Sequence, residues 1–422
     1  MSYSISALED FQPAYNHIWW VANSSNTAQA NFEYIADVSI TGQTFAGGAT
    51  FIRMKTPADP TYGRGVFDIA PILQRYLSSD IGNTIYGFQQ CPNSILDYTV
   101  NFGEMYGPSS GVTVYTNMIT ASGSTAFNGS LSTLEYKDYS PGNYASAGPP
   151  DQINILSNAP SSGTIRGALT EEDQWVYVMS QTSGAIKFAN INTYTGVGSS
   201  KVYAASYRVI NHQYHNTGTA ANRMLRFPSG GQLNSITDSD IYTTDTLPII
   251  KQLITAWEIY FTNTAHDRVS ESYWTIVDSS CTNHDVYRVH FKNKYGAYDS
   301  FSFTKSHQVN TDIKRVQYEK PLGEFKSGSS YTYNKTDRFR TSYHTEYRPT
   351  IKLNSDWITE SQSIWLEELL TSPEIYLDDA THGLIPINII DTKYTQRQHK
   401  TDKVFNLVID FQYSFNERRQ RA

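Results

Sequence analysis

The chain has very little cysteine: two residues in 422, Cys91 and Cys281. They stand far apart, outside any CxxC or Cys/His cluster. That excludes a disulfide framework and a cysteine-based zinc site, and reads as two reduced thiols in a protein made in a reducing cytosol. A block of Lys and Arg is also missing. The net charge is −7, spread along the chain. Phosphate binding needs clustered cations, so nucleic acid is not expected as a partner. The basic cluster at Glu417-Arg418-Arg419-Gln420-Arg421 reads as a solvated tail or an assembly contact. No stretch approaches the ~18 apolar residues of a membrane-spanning helix, so no span is expected. Residues Met1 to Asn16 lack the basic segment and apolar run of a secretion signal. The expectation is release, if any, by lysis inside an assembled particle.

Charge is sparse at 17%, while Tyr numbers 31 and Phe 19. β-branched and aromatic residues favour strands, and Gly, Asn and Ser favour the turns between them. The expected fold is mainly β, with several antiparallel β-sandwich-like domains and two or so short helices. The clearest strand is Val404 to Phe415. Phe405, Leu407, Ile409, Phe411, Tyr413 and Phe415 fall on one face, and Asn406, Asp410, Gln412 and Ser414 on the other. Its expected partner is Leu384 to Ile390. Further strands are expected at Phe32 to Ile40, Gln174 to Ser180, Val202 to Ile210, Ala256 to Thr262, Tyr287 to Lys292 and Ser300 to Thr304. Between the last two, Asn293 to Asp299 reads as a glycine-containing hairpin connection.

Two helices are expected. Asp68 to Leu77 carries an apolar stripe of Ile69, Ile72, Leu73 and Tyr76, with Asp68 as cap. Near 360–370, Thr359 and Gln362 fit a capping box, Ile358, Trp365 and Leu369 share a face, and Pro373 stops the helix. Linker composition at Ser140 to Pro150 and a break near Thr304 to Lys314 divide the chain into 1–145 (N-terminal β domain with the helix near 68–77), 151–305 (central β-rich domain) and 310–422 (C-terminal β domain with the helix near 360–370).

The stretch Trp365 to Asp379 packs five carboxylates among aromatics and raises the question of a glycosidase site. Glu367 and Glu368 are adjacent on a helix and diverge by about 100°, so they cannot share one substrate. Glu374 follows the helix stop, and Asp378-Asp379 reads as a turn. The favoured reading is a solvated face. His212 and His215 form H-x-x-H without a following glutamate, in a segment that reads as a strand end, where positions three apart face opposite sides. His284 and His290 read as surface residues. Neither a G-x-S-x-G elbow nor a P-loop is present. Trp19, Trp20, Trp257, Trp274, Tyr331 and Tyr333 could stack on sugars, but are expected mainly in the core or at subunit contacts. No catalytic residue, cofactor or metal is expected.

Several segments together resemble a known group. They are Tyr15-Asn16-His17-Ile18-Trp19-Trp20-Val21, Gln29-Ala30-Asn31-Phe32-Glu33-Tyr34, Pro57-Ala58-Asp59-Pro60 followed by Gly65 to Leu73, His290 to Phe301, and Trp365 to Leu377. Their order and spacing resemble virion structural proteins of tailed bacteriophages, particularly tail or tail-tip (baseplate-like) proteins of phages infecting Bacteroidota. The resemblance covers both ends and part of the middle, and it transfers no catalytic residue. It implies a structural subunit of the virion tail, synthesised in the host cytoplasm and assembling as a homo-oligomer with copies of itself and other tail proteins. Candidate assembly and packing residues are Ile358, Trp365, Leu369, Phe405, Phe411 and Tyr413. The alternatives are a host-surface glycan-binding module, a capsid decoration or head-fibre protein, and a glycan-cleaving enzyme.

Overall fold

The computed structural model describes residues 3–5, 10–81, 87–146, 153–160, 162–166, 172–181, 185–196, 200–212, 224–237, 247–278, 284–390, 404–415 and 417–418. The fold is mainly β, with three short α-helices among these residues. The chain forms two compact units. The first comprises residues 1–279 and 292–300, the second residues 280–291 and 301–422.

The first unit holds two buried clusters, each shared by two sheets. In the N-terminal half, a three-stranded sheet runs in the order Tyr3–Ile5, Trp19–Ser24, Arg64–Asp68. A five-stranded sheet runs Gln12–Pro13, Thr113–Phe127, Ile95–Tyr106, Glu33–Ile40, Ile52–Pro57. Alternate residues from both enter one core built around Trp20, Tyr34, Phe67, Tyr98 and Phe102. Trp20 and Phe102 pack ring to ring at 5.3 Å across the two sheets. The ring of Tyr34 lies so close to Gly65 that a Cβ there would sit 2.3 Å from it, so only glycine fits. Both faces of Glu33–Ile40 are covered, which places Asp37 inside. Arg53 answers it with two hydrogen bonds of 2.7 Å, the forked pairing that a buried carboxylate requires.

In the central half, a four-stranded sheet runs Ala145–Ser146, Trp175–Ser180, Met224–Pro228, Gln89–Gln90. A five-stranded sheet runs Ser162–Arg166, Tyr273–Asp278, Ala256–Thr262, Phe188–Thr195, Val202–Ile210. Val176, Val178, Leu225 and Phe227 of the first pack with Ile191, Tyr207, Trp257, Ile259 and Phe261 of the second. Pairing is mostly antiparallel. Ser162–Arg166 runs parallel to its neighbour Tyr273–Asp278.

The second unit is organised by an eight-stranded sheet. Its order is Tyr298–Phe303, Tyr287–Lys292, Ile375–Asp379, Gly383–Ile389, Val404–Tyr413, Arg340–Thr359, Gln308–Glu319, with Glu417–Arg418 also on Arg340–Thr359. The alternation expected for the last long strand holds in its middle, where Leu407, Ile409 and Phe411 are buried and Asn406 and Val408 exposed; the strand ends at Tyr413, and Phe415, expected on the buried face, is exposed. Its neighbour is the expected one, with Ile387 opposite Tyr413 and Ile389 opposite Phe411. The connection at Asn293–Asp299 closes as a tight hairpin turn, with Gly296 at φ +75°.

The helices follow their caps. Helix Glu360–Thr371 begins at Thr359, whose Oγ1 accepts from the Gln362 amide while Gln362 Oε1 accepts from the Thr359 amide, completing the capping box. The helix expected over 68–77 is shorter. The strand Arg64–Asp68 holds Asp68 in its ladder, and an α turn covers only Ala70–Leu73 before a 3₁₀ turn at Gln74–Tyr76. Asp68 still serves that start, accepting from the Ala70 amide at 3.2 Å. A third helix, Thr133–Lys137, carries a capping box from Ser132 and Glu135.

Candidate assembly surface

The carboxylates of Trp365 to Asp379 are divided between a helix, the link after it and a strand. Glu367 is exposed on the helix and Glu368 is half-buried. Asp378 and Asp379 lie in the strand Ile375–Asp379 rather than in a turn, because the ladder to Gly383–Ile389 extends to the register Asp379 opposite Gly383. Asp379 accepts from the amides of Thr381 and His382 and from the His382 ring, closing the turn that follows. Its carboxyl is desolvated, yet these donors hold it below the usual range.

Asp378 faces His290, with Oδ2 3.6 Å from Nε2. His290 is fully buried, as is Arg288, whose guanidinium donates to Ser302 Oγ. The surface placement expected for His290 is therefore wrong: both faces of Tyr287–Lys292 are covered, so alternation did not mean exposure. Burial depresses the His290 pKa, with the charge of Arg288 adding to the effect and Asp378 opposing it. His284 is exposed, as is His212; His215 lies outside the described residues. Among the described residues, no group of three or more His, Cys, Asp and Glu is placed to hold a metal. Cys91 is buried and its thiol pushed well up by desolvation, which makes it inert.

Of the residues proposed for assembly and packing, four belong to the interior of the second unit. Ile358, Trp365, Leu369 and Phe411 are buried, and Tyr413 is half-buried; the side chain of Phe405 lies outside the description. Trp365 packs between Phe291 at 5.6 Å and Phe301 at 6.1 Å. The helix thus seals the sheet from one side. The aromatic candidates divide: Trp20 and Trp257 are core, Trp274 is half-buried, and Trp19, Tyr331 and Tyr333 are exposed.

The feature that sequence reasoning missed is the sheet's far edge. Gln308–Glu319 is exposed at every position. It pairs with Arg340–Thr359 from Gln308 opposite Lys352 out to Glu319 opposite Arg340. The next strand, Val404–Tyr413, covers Arg340–Thr359 only from Thr350 to Thr359. From Thr311 opposite Pro349 outward, the pair therefore runs about 30 Å as a two-stranded ribbon. Glu417–Arg418 touches it at Glu346 and Tyr347. A small hairpin, Glu324–Ser327 with Ser330–Thr332, forms its tip.

Water surrounds apolar side chains on both ribbon faces. Ile313 and Val316 are exposed on opposite sides, Phe325 is 74% exposed and Tyr333 66%. Charges are interspersed, with Arg340 bridging Glu319 at 2.8 Å. Such a ribbon gains little from its own packing, since two strands without a third layer are marginal in water. Among the described residues no strand pairs with its outer edge, which offers a template for another strand. The sequence signal was the Ser327-Gly328-Ser329 turn between Phe325 and Tyr331, which pair across the tip, with Ile313 to Tyr318 pairing further on with Thr341 to Tyr347. It was masked because neither strand alternates cleanly between apolar and polar.

A scan of family models and a search of curated proteins returned no match to this chain.

Proposed function

We propose that the chain is a structural subunit of a bacteriophage virion, a tail or tail-tip protein that assembles with copies of itself. The observation that carries the assembly role is the exposed ribbon of Gln308–Glu319 and Arg340–Pro349. A chain that leaves Ile313, Val316, Phe325 and Tyr333 in water on a two-stranded element loses free energy unless a partner covers them. A neighbouring subunit does this at low cost, because the same edge can offer backbone pairing and the same apolar residues can interlock. The tail position rests on the sequence resemblance. The carboxylates of Trp365 to Asp379 are divided between a helix, the link after it and a strand, and Asp379 is committed to closing its own turn, which supports a structural reading of that stretch.

Immunogold electron microscopy of phage particles, with antibody against the first unit, tests the class. Gold at the tail or tail tip is expected. Gold confined to the head would move the protein to capsid decoration, and unlabelled particles beside free protein in the lysate would overturn the virion role.

A further inference from the structure

The outer face of the central five-stranded sheet carries a second surface, separate from the ribbon. Trp257, Ile259 and Phe261 point into the core, so Glu258 and Tyr260 point outward; Tyr273 is core-facing, so Trp274 is outward. Register places Asn192 opposite Glu258, and Glu258 opposite Trp274, in one row across three strands.

Glu258 is pinned at the centre. It accepts from Asn192 Nδ2 at 3.2 Å, from Tyr194 OH at 3.4 Å and from Ser272 Oγ. Around it stand rings: Tyr194 packs on Trp274 at 5.1 Å and on Tyr203 at 6.2 Å, and Tyr203 is 56% exposed. Three cations on this face already lie over rings: Lys201 over Trp274 at 4.7 Å, Arg268 over Tyr260 at 4.8 Å and Arg208 over Phe188 at 5.4 Å.

We infer that this face binds a neutral polysaccharide, with Tyr203 as the stacking platform, Trp274 supporting it through Tyr194, and Glu258 and Asn192 as hydrogen-bonding partners of its hydroxyls. The chemistry matches point by point. A pyranose has a flat face of C–H groups that suits an aromatic ring, and a rim of hydroxyls that suits a fixed carboxylate and amide. The rings are held by one another and by the strands, so little side-chain freedom is lost on binding. The arginines of this face are committed to hydrogen bonds with Asn190, Ser270 and Ser272 and a carboxylate holds its centre, which disfavours phosphate and acidic glycans. This inference goes beyond the assembly role and does not depend on it.

Affinity electrophoresis of the full chain in native gels cast with dextran, mannan, galactan or mixed-linkage β-glucan tests it. Retardation in at least one gel is expected. Tyr203→Ala, at an exposed position, should weaken that retardation by about tenfold in apparent dissociation constant. Trp274→Ala should do the same wherever its melting temperature shows it folded. Tyr62→Ala, at an exposed residue of the N-terminal half, should leave it unchanged. No retardation in any of the four gels would overturn the inference, as would retention of full retardation in Tyr203→Ala. A Tyr203→Ala chain of altered solution mass, with no polysaccharide retarding the wild type, would assign the face to a protein contact instead.

Discussion

Trp365 sits where a large side chain does most for stability, nearly buried between two phenylalanines on the inner side of its helix. Trp365→Ala should cost about 3–5 kcal/mol in denaturant unfolding of the second unit, the combined loss of transfer energy and packing. Glu367→Ala, at an exposed position on the same helix, should change it by under about 0.5 kcal/mol. Equal effects would mean the helix face is assigned wrongly. His290 makes a second prediction. Its folded pKa lies below the ordinary 6.5, so above that pH both folded and unfolded forms are neutral and stability is full. As pH falls below 6.5 the unfolded chain takes up the proton first. Stability then declines by up to about 1.4 kcal/mol per pH unit until the folded pKa is reached. Unfolding measured between about pH 7 and 5 should show this slope, and His290→Gln should flatten it. At this scale the sequence was readable where one strand face meets water, as at Leu407, Ile409 and Phe411. It misled at His290 because a strand covered on both sides hides polar residues in the same period-2 pattern.

Elements with local chemistry were the most legible. The capping box of Glu360–Thr371 is written in Thr359 and Gln362, and the turn at Asn293–Asp299 in its Asn and Gly. The helix near 68–77 was overdrawn because its apolar stripe does not reveal that Asp68 is the last residue of a strand. The Asp378-Asp379 pair was misread because local turn propensity lost to cross-strand pairing with Leu384 and Gly383. The ribbon escaped notice for a related reason: the proposed assembly role would put the partner of its apolar residues on another chain. Its apolar residues face water in the subunit and so follow neither the core nor the solvent pattern. Ile313→Asp and Phe325→Ser should therefore weaken self-association while shifting unfolding of either unit by under about 0.5 kcal/mol, as exposed changes do. Sedimentation velocity beside thermal unfolding would reveal a structural rather than an associative role if the melting temperature fell instead.

For the whole molecule, composition anticipated a β-rich, Tyr-rich chain with few thiols. The two-unit division, with residues 292–300 counted in the first unit, depends on long-range packing that composition does not encode. The central claim is that the ribbon exists to join subunits. It is tested most directly by light-scattering mass of the full chain and of a chain in which residues 313–347 are replaced by Asn-Gly. That dipeptide closes the ladder at the Asp312–Arg348 register with a two-residue hairpin turn and removes the ribbon. The account predicts a mass that is a multiple of the single chain for the full protein, and a shift towards monomer for the shortened one with its melting temperature unchanged. A full chain that stays monomeric at every concentration, or a shortened chain that assembles as well as the full one, would contradict it.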